Sequence, residues 1–127
     1  MPFVRIDLTE GKSAEYGRTI GAVVYDAMIE TLNVPAGDRF QVITEHPADN
    51  FIFSPDYLGI HRSQDCIFIQ VTLLAGRTID KKAAFYKAIA DGLHDRLNVR
   101  REDVVINLVE NSKEDWSFGN GEAQYAK

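Results

Sequence analysis

Pro2 is the first residue of this sequence whose chemistry suits catalysis. As a free N-terminus it would be a secondary amine in a rigid ring. The pKa of an α-amino group is ordinarily about 7.7–8.0, and burial in apolar surroundings or a nearby cation lowers it. An amine with a pKa near neutrality can accept a proton at pH 7. The structural alternative is that Pro2 only begins an edge strand, where its missing N–H costs nothing.

Arg77 and Asp38 are the two charged residues that could act beside this amine. Arg77 follows Gly76 at the junction of a predicted strand and a predicted helix, where a guanidinium can bind a carboxylate through two hydrogen bonds. Its alternative role is that of a solvated loop cation. Asp38 lies in a predicted turn, and the residues alone support a turn-forming role as well as a catalytic one.

Metal, nucleotide and thiol chemistry have no motif in the sequence. His46, His61 and His94 lack the spacing of metal ligands, and the one cysteine, Cys66, begins an apolar strand that favours a buried, unreactive thiol. The sequence contains neither a phosphate-binding glycine loop nor a nucleophile elbow. We therefore expect no metal and no cofactor.

The composition describes one small acidic domain. The chain has 127 residues, with 14 Lys and Arg against 19 Asp and Glu, a formal charge of -5 and a pI near 5.1. Phosphate-rich partners require an excess of basic residues, so neither nucleic acid nor a membrane surface is an expected partner. No apolar run reaches the roughly 18 residues that cross a bilayer. A charged N-terminus unlike a signal peptide and a single cysteine favour a cytoplasmic location.

An internal repeat organises the chain. The segment that starts at Gly11 aligns without gaps on the segment that starts at Gly76, an offset of 65 residues. Identical residues then coincide at several places: Asp26 with Asp91, Leu32-Asn33-Val34 with Leu97-Asn98-Val99, Asp38 with Asp103, and Glu45 with Glu110. Each half, about residues 2–46 and 66–110, is typical of a strand, a helix and a second strand within a single domain of residues 1–127.

The predicted helices begin at two hydroxyl caps, Ser13 and Thr78. Apolar residues at helical spacing predict the buried stripes, which are Ile20, Val23, Val24, Ala27, Met28 and Leu32 in the first helix and Ile79, Ala83, Tyr86, Ala90, Leu93 and Leu97 in the second. Strands are predicted over residues 3–8, 40–44, 66–74 and 103–109. Residues 47–62 form a predicted long loop without regular structure, and such loops are often functional.

The repeat predicts an α+β (α/β) fold in which two β-α-β units form a four-stranded mixed sheet with both helices on one face. The other face would carry Phe3 or Val4, Phe40 and Phe68, with nothing in the chain to cover them. A large exposed apolar face predicts self-association.

Several segments together resemble the tautomerase superfamily, and within it the malonate semialdehyde decarboxylase-like group. These segments are Met1-Pro2, Val34-Pro35-Ala36-Gly37-Asp38-Arg39, Arg77, Phe85-Tyr86-Lys87, Val109-Glu110-Asn111-Ser112 and Asp115-Trp116-Ser117-Phe118-Gly119. The resemblance spans essentially the whole chain in one register. It implies that Met1 is removed, that Pro2 is the free N-terminus, and that the chain is a homotrimer whose assembly covers the open sheet face.

The resemblance also implies roles for the charged site residues. Pro2 is the catalytic group, Arg77 is catalytic and binds the substrate carboxylate, and Asp38 activates water or assists the proline. The decarboxylases of the group have a second arginine two positions before Arg77, where this chain has Ala75. This difference argues against efficient decarboxylation.

Aromatic residues complete the predicted site. Trp116 and Phe118 would form an apolar wall that lowers the pKa of the amine and excludes water. Packing of a C-terminal flap against a neighbouring subunit is an alternative role for both residues. Tyr57 and His61, in the long middle loop, are weaker candidates for substrate contact.

Three functions follow from this pattern. The first is a cofactor-free keto–enol tautomerase of small 2-oxo acids, with Pro2 as general base. The second is a malonate semialdehyde decarboxylase or hydratase-type lyase that uses Asp38, Arg77 and a cationic Pro2. The third is a non-catalytic trimeric binding protein, which a retained Met1 would favour because the nitrogen of Pro2 would then be an amide. The first two act on a small carboxylate.

Overall fold

Two β-α-β units share one four-stranded sheet in the computed structural model, which describes residues 2–126. Strands β1 (Phe3–Thr9) and β2 (Phe40–His46) flank helix α1 (Ala14–Leu32), and strands β3 (Ile67–Leu74) and β4 (Val104–Asn111) flank helix α2 (Ile79–Leu97). The strand order is β2-β1-β3-β4; β1 and β3 pair antiparallel at the centre, and each outer pair is parallel. The predicted mixed sheet of two repeated units is confirmed.

The two helices begin and end in the same way, as the repeat predicts. The hydroxyls of Ser13 and Thr78 each accept a hydrogen bond from the backbone N–H three residues later, so both predicted caps are confirmed. Asn33 and Asn98 end the helices in the left-handed conformation, with φ of 59° and 56°. Local sequence therefore sets the length of both helices.

The two ends of the sheet are also related by the repeat. The backbone N–H of Glu10, after β1, donates to the carbonyl of His46 at 2.8 Å, and the N–H of Ala75, after β3, donates to the carbonyl of Asn111 at 2.9 Å. Each unit thus ties the end of its first strand to the end of its second strand by the same hydrogen bond. A feature at one end of the sheet therefore has a counterpart at the other, 65 residues away in sequence.

The core lies between the helices and one face of the sheet. Helix α1 buries the whole predicted stripe, but the predicted stripe of α2 is wrong at its start, since Ile79 is 74% exposed and Ala83 is exposed. The fully buried residues of α2 are Phe85, Ile89 and Leu93. Their spacing of four places them on one face of the helix, and packing on the sheet selects that face.

The open face of the sheet carries the alternate residues of each strand. Phe3, Phe40 and Val109 are 42–44% exposed on it, whereas Val4 is fully buried in the core. Of the two residues predicted as alternatives at the start of β1, Phe3 therefore belongs to the open face. Because side chains alternate along a strand, the burial of Val4 follows directly from the exposure of Phe3.

The rest of the chain covers part of this face, contrary to the prediction that nothing would. Phe51 stacks on Phe68 with ring centroids 4.5 Å apart, and Phe118 packs against Phe40 at 5.6 Å. The long middle loop that carries Phe51 contains two short 3-10 turns, Ala48–Asn50 and Tyr57–Gly59, so it has more structure than predicted. Within residues 2–126, no helix is long and apolar enough to span a membrane.

Candidate active site

The start of β1 lies beside the start of β2 and the end of β3. Phe3 is opposite Phe40 in the parallel pair, so Pro2, one residue earlier, lies at the end of the sheet where β1 and β2 both begin. In the antiparallel pair, the start of β1 lies beside the end of β3, whose last residue is Leu74. Pro2 is buried at this end of the sheet. The predicted removal of Met1 lies outside the described residues.

Arg77 is fixed at the same end of the sheet by backbone carbonyls. Its Nε and Nη2 both donate to the carbonyl of Leu32, at 3.4 and 3.3 Å, and its Nη1 donates to the carbonyl of Leu74 at 3.2 Å. The guanidinium therefore joins the last residue of α1 to the last residue of β3. An arginine has five N–H groups, so these bonds leave one on Nη1 and one on Nη2. Those two are the pair that a carboxylate accepts in a bidentate contact.

Asp38 lies in the turn that leads into β2, as predicted. Its backbone N–H donates to the carbonyl of Pro35 at 3.2 Å, and its side chain is half-buried. Its repeat counterpart, Asp103, is 1% exposed and accepts 2.6 Å hydrogen bonds from the backbone N–H and the hydroxyl of Ser63. Asp103 thus has a structural function that does not extend to Asp38 by analogy.

Trp116 and Phe118 form one face of an aromatic cluster at this end of the sheet. Their rings stack at 5.2 Å with an interplanar angle of 4°, and Phe118 also contacts Phe40 of β2 and Tyr125. The indole N–H of Trp116 donates to the side-chain oxygen of Asn111, the last residue of β4, at 2.8 Å. A single chain therefore forms an aromatic cluster at this end of the sheet, where the sequence predicts an apolar wall.

Tyr125 and Gln124 belong to this cluster but were not predicted as site residues. Tyr125 packs edge-on against Phe118, with ring centroids 5.2 Å apart. The side chain of Gln124 accepts from the N–H of Phe118 at 2.9 Å and donates to the carbonyl of Gly119 at 2.8 Å, which folds the tail back on itself. The only sequence signal was the aromatic character of Tyr125 in an otherwise polar tail.

A short turn at Ser112–Asp115 connects the end of β4 to Trp116. Ser112 and Asp115 form a reciprocal cap in which the backbone N–H and the hydroxyl of Ser112 donate to the carboxylate of Asp115, at 3.0 and 2.9 Å. The backbone hydrogen bond is the main reason that the pKa of Asp115 lies below its usual value. The ionised carboxylate therefore holds the turn at neutral pH.

The middle-loop candidates lie at the other end of the sheet. Tyr57 is 62% exposed and lines a cavity of about 220 Å³ together with Phe68 and Val105, which are near the starts of β3 and β4. His61 Nδ1 pairs with the carboxylate of Asp56 in the same loop. Within one chain, the structure does not bring Tyr57 or His61 to Pro2.

A cavity of about 260 Å³ lies at the end of the sheet far from Pro2, where Lys12 pairs with Asp65 at 3.0 Å and lies over the ring of Tyr16. Another cavity, of about 330 Å³, lies on the open face and has Asp7 and Phe68 among its lining residues. The part of the chain described contains no cluster of three or more His, Cys, Asp or Glu that could hold a metal ion.

Comparison with protein families identifies the class to which this fold and sheet end belong. A family model described as a tautomerase enzyme matches residues 38–119, and a second model with the same description matches residues 2–60. The chain therefore belongs to the tautomerase superfamily. Membership makes it an enzyme of the isomerase type, which argues against the third predicted function, a non-catalytic binding protein.

Individual relatives agree with this assignment over nearly the whole chain. The probable tautomerase YusQ of Bacillus subtilis (strain 168) is 44% identical over 124 residues, 98% of each protein. The crystal structure of FG41 malonate semialdehyde decarboxylase inhibited by 3-bromopropiolate is 43% identical, with a TM-score of 0.92 over 98% of this chain and 94% of that one. A fused 4-OT solved as a symmetric trimer shares the fold at 22% identity, with a TM-score of 0.79 over 98% of both chains.

Proposed function

We propose that this chain is a keto–enol tautomerase of small 2-oxo acids that uses the N-terminal amine of Pro2 as its general base. The observation that supports this proposal is that a buried Pro2 and a backbone-anchored Arg77 lie at the same end of the sheet. A base and a carboxylate-binding cation are the two groups that proton transfer next to the carbonyl of a 2-oxo acid requires.

The reaction needs only one proton-transferring group. In the direction from ketone to enol, the neutral nitrogen of Pro2 takes a proton from C3 of the substrate, and the electron pair of that C–H bond forms the new double bond. The carbonyl electrons move to oxygen, which then takes a proton back from the prolinium. The reverse sequence converts the enol to the ketone, and no other reactant is consumed.

Arg77 orients the substrate for this transfer. Nη1 and Nη2 each have a second N–H, and these can donate to the oxygens of a substrate carboxylate while the bonds to Leu32 and Leu74 remain. A guanidinium that is already held in place loses little conformational entropy when the substrate binds. Its charge also helps to keep the amine of Pro2 neutral.

The aromatic wall supplies the low polarity that the amine needs. Trp116 and Phe118 stand at the sheet end that Pro2 occupies, and Phe118 contacts Phe40 on the neighbouring strand. Removing water from an amine disfavours its charged form and lowers its pKa. Asp38, half-buried and two residues before Phe40, assists by orienting the proline or a water molecule.

A homotrimer is the assembly that we propose for the working enzyme. Phe3, Phe40 and Val109 remain 42–44% exposed on the open face, which is too apolar to be left in water. Tyr57 can contact the substrate only if a neighbouring copy supplies it, because its own Pro2 lies at the opposite end of the sheet. Light scattering coupled to gel filtration tests the assembly, and a monomeric mass would contradict it.

A malonate semialdehyde decarboxylase or hydratase activity is the second candidate. Its support is the 43% identity to FG41 malonate semialdehyde decarboxylase over nearly the full chain. Against it stands Ala75, at the position where the decarboxylase-like group has a second arginine. With one fewer cation to bind a carboxylate, we rank decarboxylation behind tautomerisation.

A two-substrate experiment separates the candidates. Ketonisation of phenylenolpyruvate is followed by absorbance, and carbon dioxide release from malonate semialdehyde is measured on the same preparation. The proposal predicts turnover of the enol that requires both Pro2 and Arg77. Turnover of malonate semialdehyde alone would favour the second candidate, and turnover of neither would contradict both.

A further inference from the structure

Tyr25, on helix α1, contacts the turn that carries Asp38 in two ways. Its hydroxyl oxygen accepts a hydrogen bond from the backbone N–H of Gly37 at 2.8 Å. The face of its ring lies under the guanidinium of Arg39, whose central carbon is 4.8 Å from the ring centroid. Asp38 therefore lies between two residues that one tyrosine holds.

Arg39 is also linked to α1 through Gln41, so the turn is connected to the helix by a second set of contacts. Its Nε donates to the side-chain oxygen of Gln41 at 3.2 Å, and the side-chain nitrogen of Gln41 donates to the carbonyl of Gly21 at 2.9 Å. A Cβ at Gly21 would lie 2.6 Å from Gln41 Oε1, so a larger residue there would displace the side chain of Gln41. The first helix and the start of β2 are thereby joined on both sides of the turn.

The conformation of the turn makes its support from α1 important. A backbone hydrogen bond from the N–H of Asp38 to the carbonyl of Pro35 closes it, and Gly37 adopts a φ of 91° that side chains disfavour. Exposed loops open more easily than packed elements. The contact with Tyr25 fixes the Ala36–Gly37 peptide, one residue before Asp38.

The repeat counterpart of this turn has a different support. The N–H of Asp103 closes the second turn on the carbonyl of Arg100 at 2.9 Å, but its buried carboxylate is occupied by Ser63. Ala90 stands where the first half has Tyr25. The second turn therefore has no tyrosine at the position of Tyr25, and Ser63 binds its aspartate instead.

We infer that Tyr25 is a positioning residue for Asp38, fixing the turn through Gly37 and Arg39 so that the carboxylate meets the substrate beside Pro2. This inference rests on the proposed role of Asp38 in the tautomerase reaction. Tyr25 itself does not touch the substrate. Its effect must therefore pass entirely through Asp38.

A double-mutant cycle tests this dependence. Tyr25→Phe keeps the ring beneath Arg39 and removes only the acceptor for the N–H of Gly37. It is compared with Asp38→Asn and with the double variant, by kcat and KM for phenylenolpyruvate ketonisation. We expect Tyr25→Phe to lower kcat roughly tenfold, within the hundredfold that a misplacement of about 1 Å can cost. KM should change little, because Arg77 is untouched.

The decisive result is the loss of this effect when Asp38 is absent. The double variant should have the kcat of Asp38→Asn, whereas a merely structural role would reduce kcat equally in both backgrounds. Arg39→Met provides a second route, since it removes the cation and leaves the hydroxyl, and its effect should also vanish in the Asp38→Asn background. Tyr16→Phe, at the opposite end of α1, is the matched control and should retain full activity.

The outcomes distinguish the inference from the proposed function. Full activity of Tyr25→Phe, or equal losses in both backgrounds, would overturn the inference while Asp38→Asn remained impaired. Full activity of Asp38→Asn would overturn the inference and the assisting role of Asp38 but would leave Pro2 as the base. No turnover by the unmodified enzyme would overturn the proposed function and the inference with it.

Discussion

Trp116 donates its indole N–H to the side-chain oxygen of Asn111, the last residue of β4, at 2.8 Å. This bond links the aromatic wall to the sheet, because Trp116 in turn stacks on Phe118. The side chain of Asn111 therefore helps to fix the orientation of Trp116 relative to the sheet.

Asn111→Leu should loosen the wall without removing it. The indole N–H loses its acceptor, at a cost of about 1–3 kcal/mol if it stays buried, so the ring is expected to turn toward water. Trp116 is the one tryptophan of the chain, and its fluorescence should shift to longer wavelength while KM for an aromatic 2-oxo acid rises. Unchanged emission and KM would show that the bond does not position the wall.

Arg77→Met should weaken both substrate binding and folding. Loss of the carboxylate contact is expected to raise KM at least about tenfold, since a hydrogen bond to a charged group contributes about 1.5–3 kcal/mol. Loss of the bonds to Leu32 and Leu74 should lower the free energy of unfolding in urea as well.

Lys12→Met is the matched control for Arg77, because Lys12 occupies the repeat-related position. Lys12 pairs with Asp65 at the other end of the sheet. Its removal should leave KM unchanged. An equal rise of KM in both variants would indicate a general effect of positive charge and would contradict the specific role of Arg77.

Asp91 should stabilise the fold in a pH-dependent way. Hydrogen bonds from Lys87, at 2.6 Å, and from Arg101 hold the pKa of its carboxyl below the usual value. Since the folded pKa lies below the unfolded one, the stabilisation is present above about pH 4 and is lost as the pH falls through the folded pKa.

Urea unfolding of Asp91→Asn measures this contribution. The variant should unfold at lower urea than the unmodified protein at pH 7 and at nearly the same urea at pH 2.5. Asp95→Asn, on the same helix, is the control and should unfold like the unmodified protein at both values. A difference for Asp91→Asn that persists undiminished in acid would exclude ionisation of Asp91 as its cause.

Cys66 should be unreactive in the folded protein. Burial is the main reason that the pKa of its thiol is raised to about 11, with the nearby Asp103 carboxylate adding to the shift. Its side chain is 1% exposed. Iodoacetamide at pH 8 should therefore modify the unfolded chain and spare the native one, as read by intact mass.

The same shift predicts a loss of stability in alkali. The unfolded thiol ionises near pH 8.5 while the folded one stays neutral, so stability should decline as the pH rises from there toward 11. The free energy of unfolding of Cys66→Ala should decline less over that pH range. Parallel plots of this free energy against pH for the two proteins would contradict a raised pKa of Cys66 as the cause.

Much of the fold was predictable because its determinants are local or repeated. Ser13 and Thr78 act as caps through their own side chains. The predicted stripe of α2 is wrong in the first turn because hydrophobicity alone does not show which face of a helix packs on the sheet. The alignment of the two repeats does indicate that face, because the buried Phe85 aligns with the buried Ile20.

The site was less predictable because its contacts join distant segments. Nothing in the neighbouring sequence indicates that Arg77 binds the carbonyl of Leu32, 45 residues earlier. Tyr25 carried no motif, and its contact with Gly37 depends on how α1 lies over β2. Residues could be assigned to the correct end of the sheet from the order of the elements, but their hydrogen-bond partners could not.

The rate of phenylenolpyruvate ketonisation by Pro2→Ala tests the central claim most directly. Both proteins are first shown by intact mass to lack Met1, so that each has a free N-terminal amine. Replacing the rigid secondary amine of proline by the more mobile primary amine of alanine should misplace the base and lower kcat/KM by about a hundredfold, with KM changed far less than kcat. A rate equal to that of the unmodified enzyme would contradict the claim that the positioned ring nitrogen of Pro2 is the base.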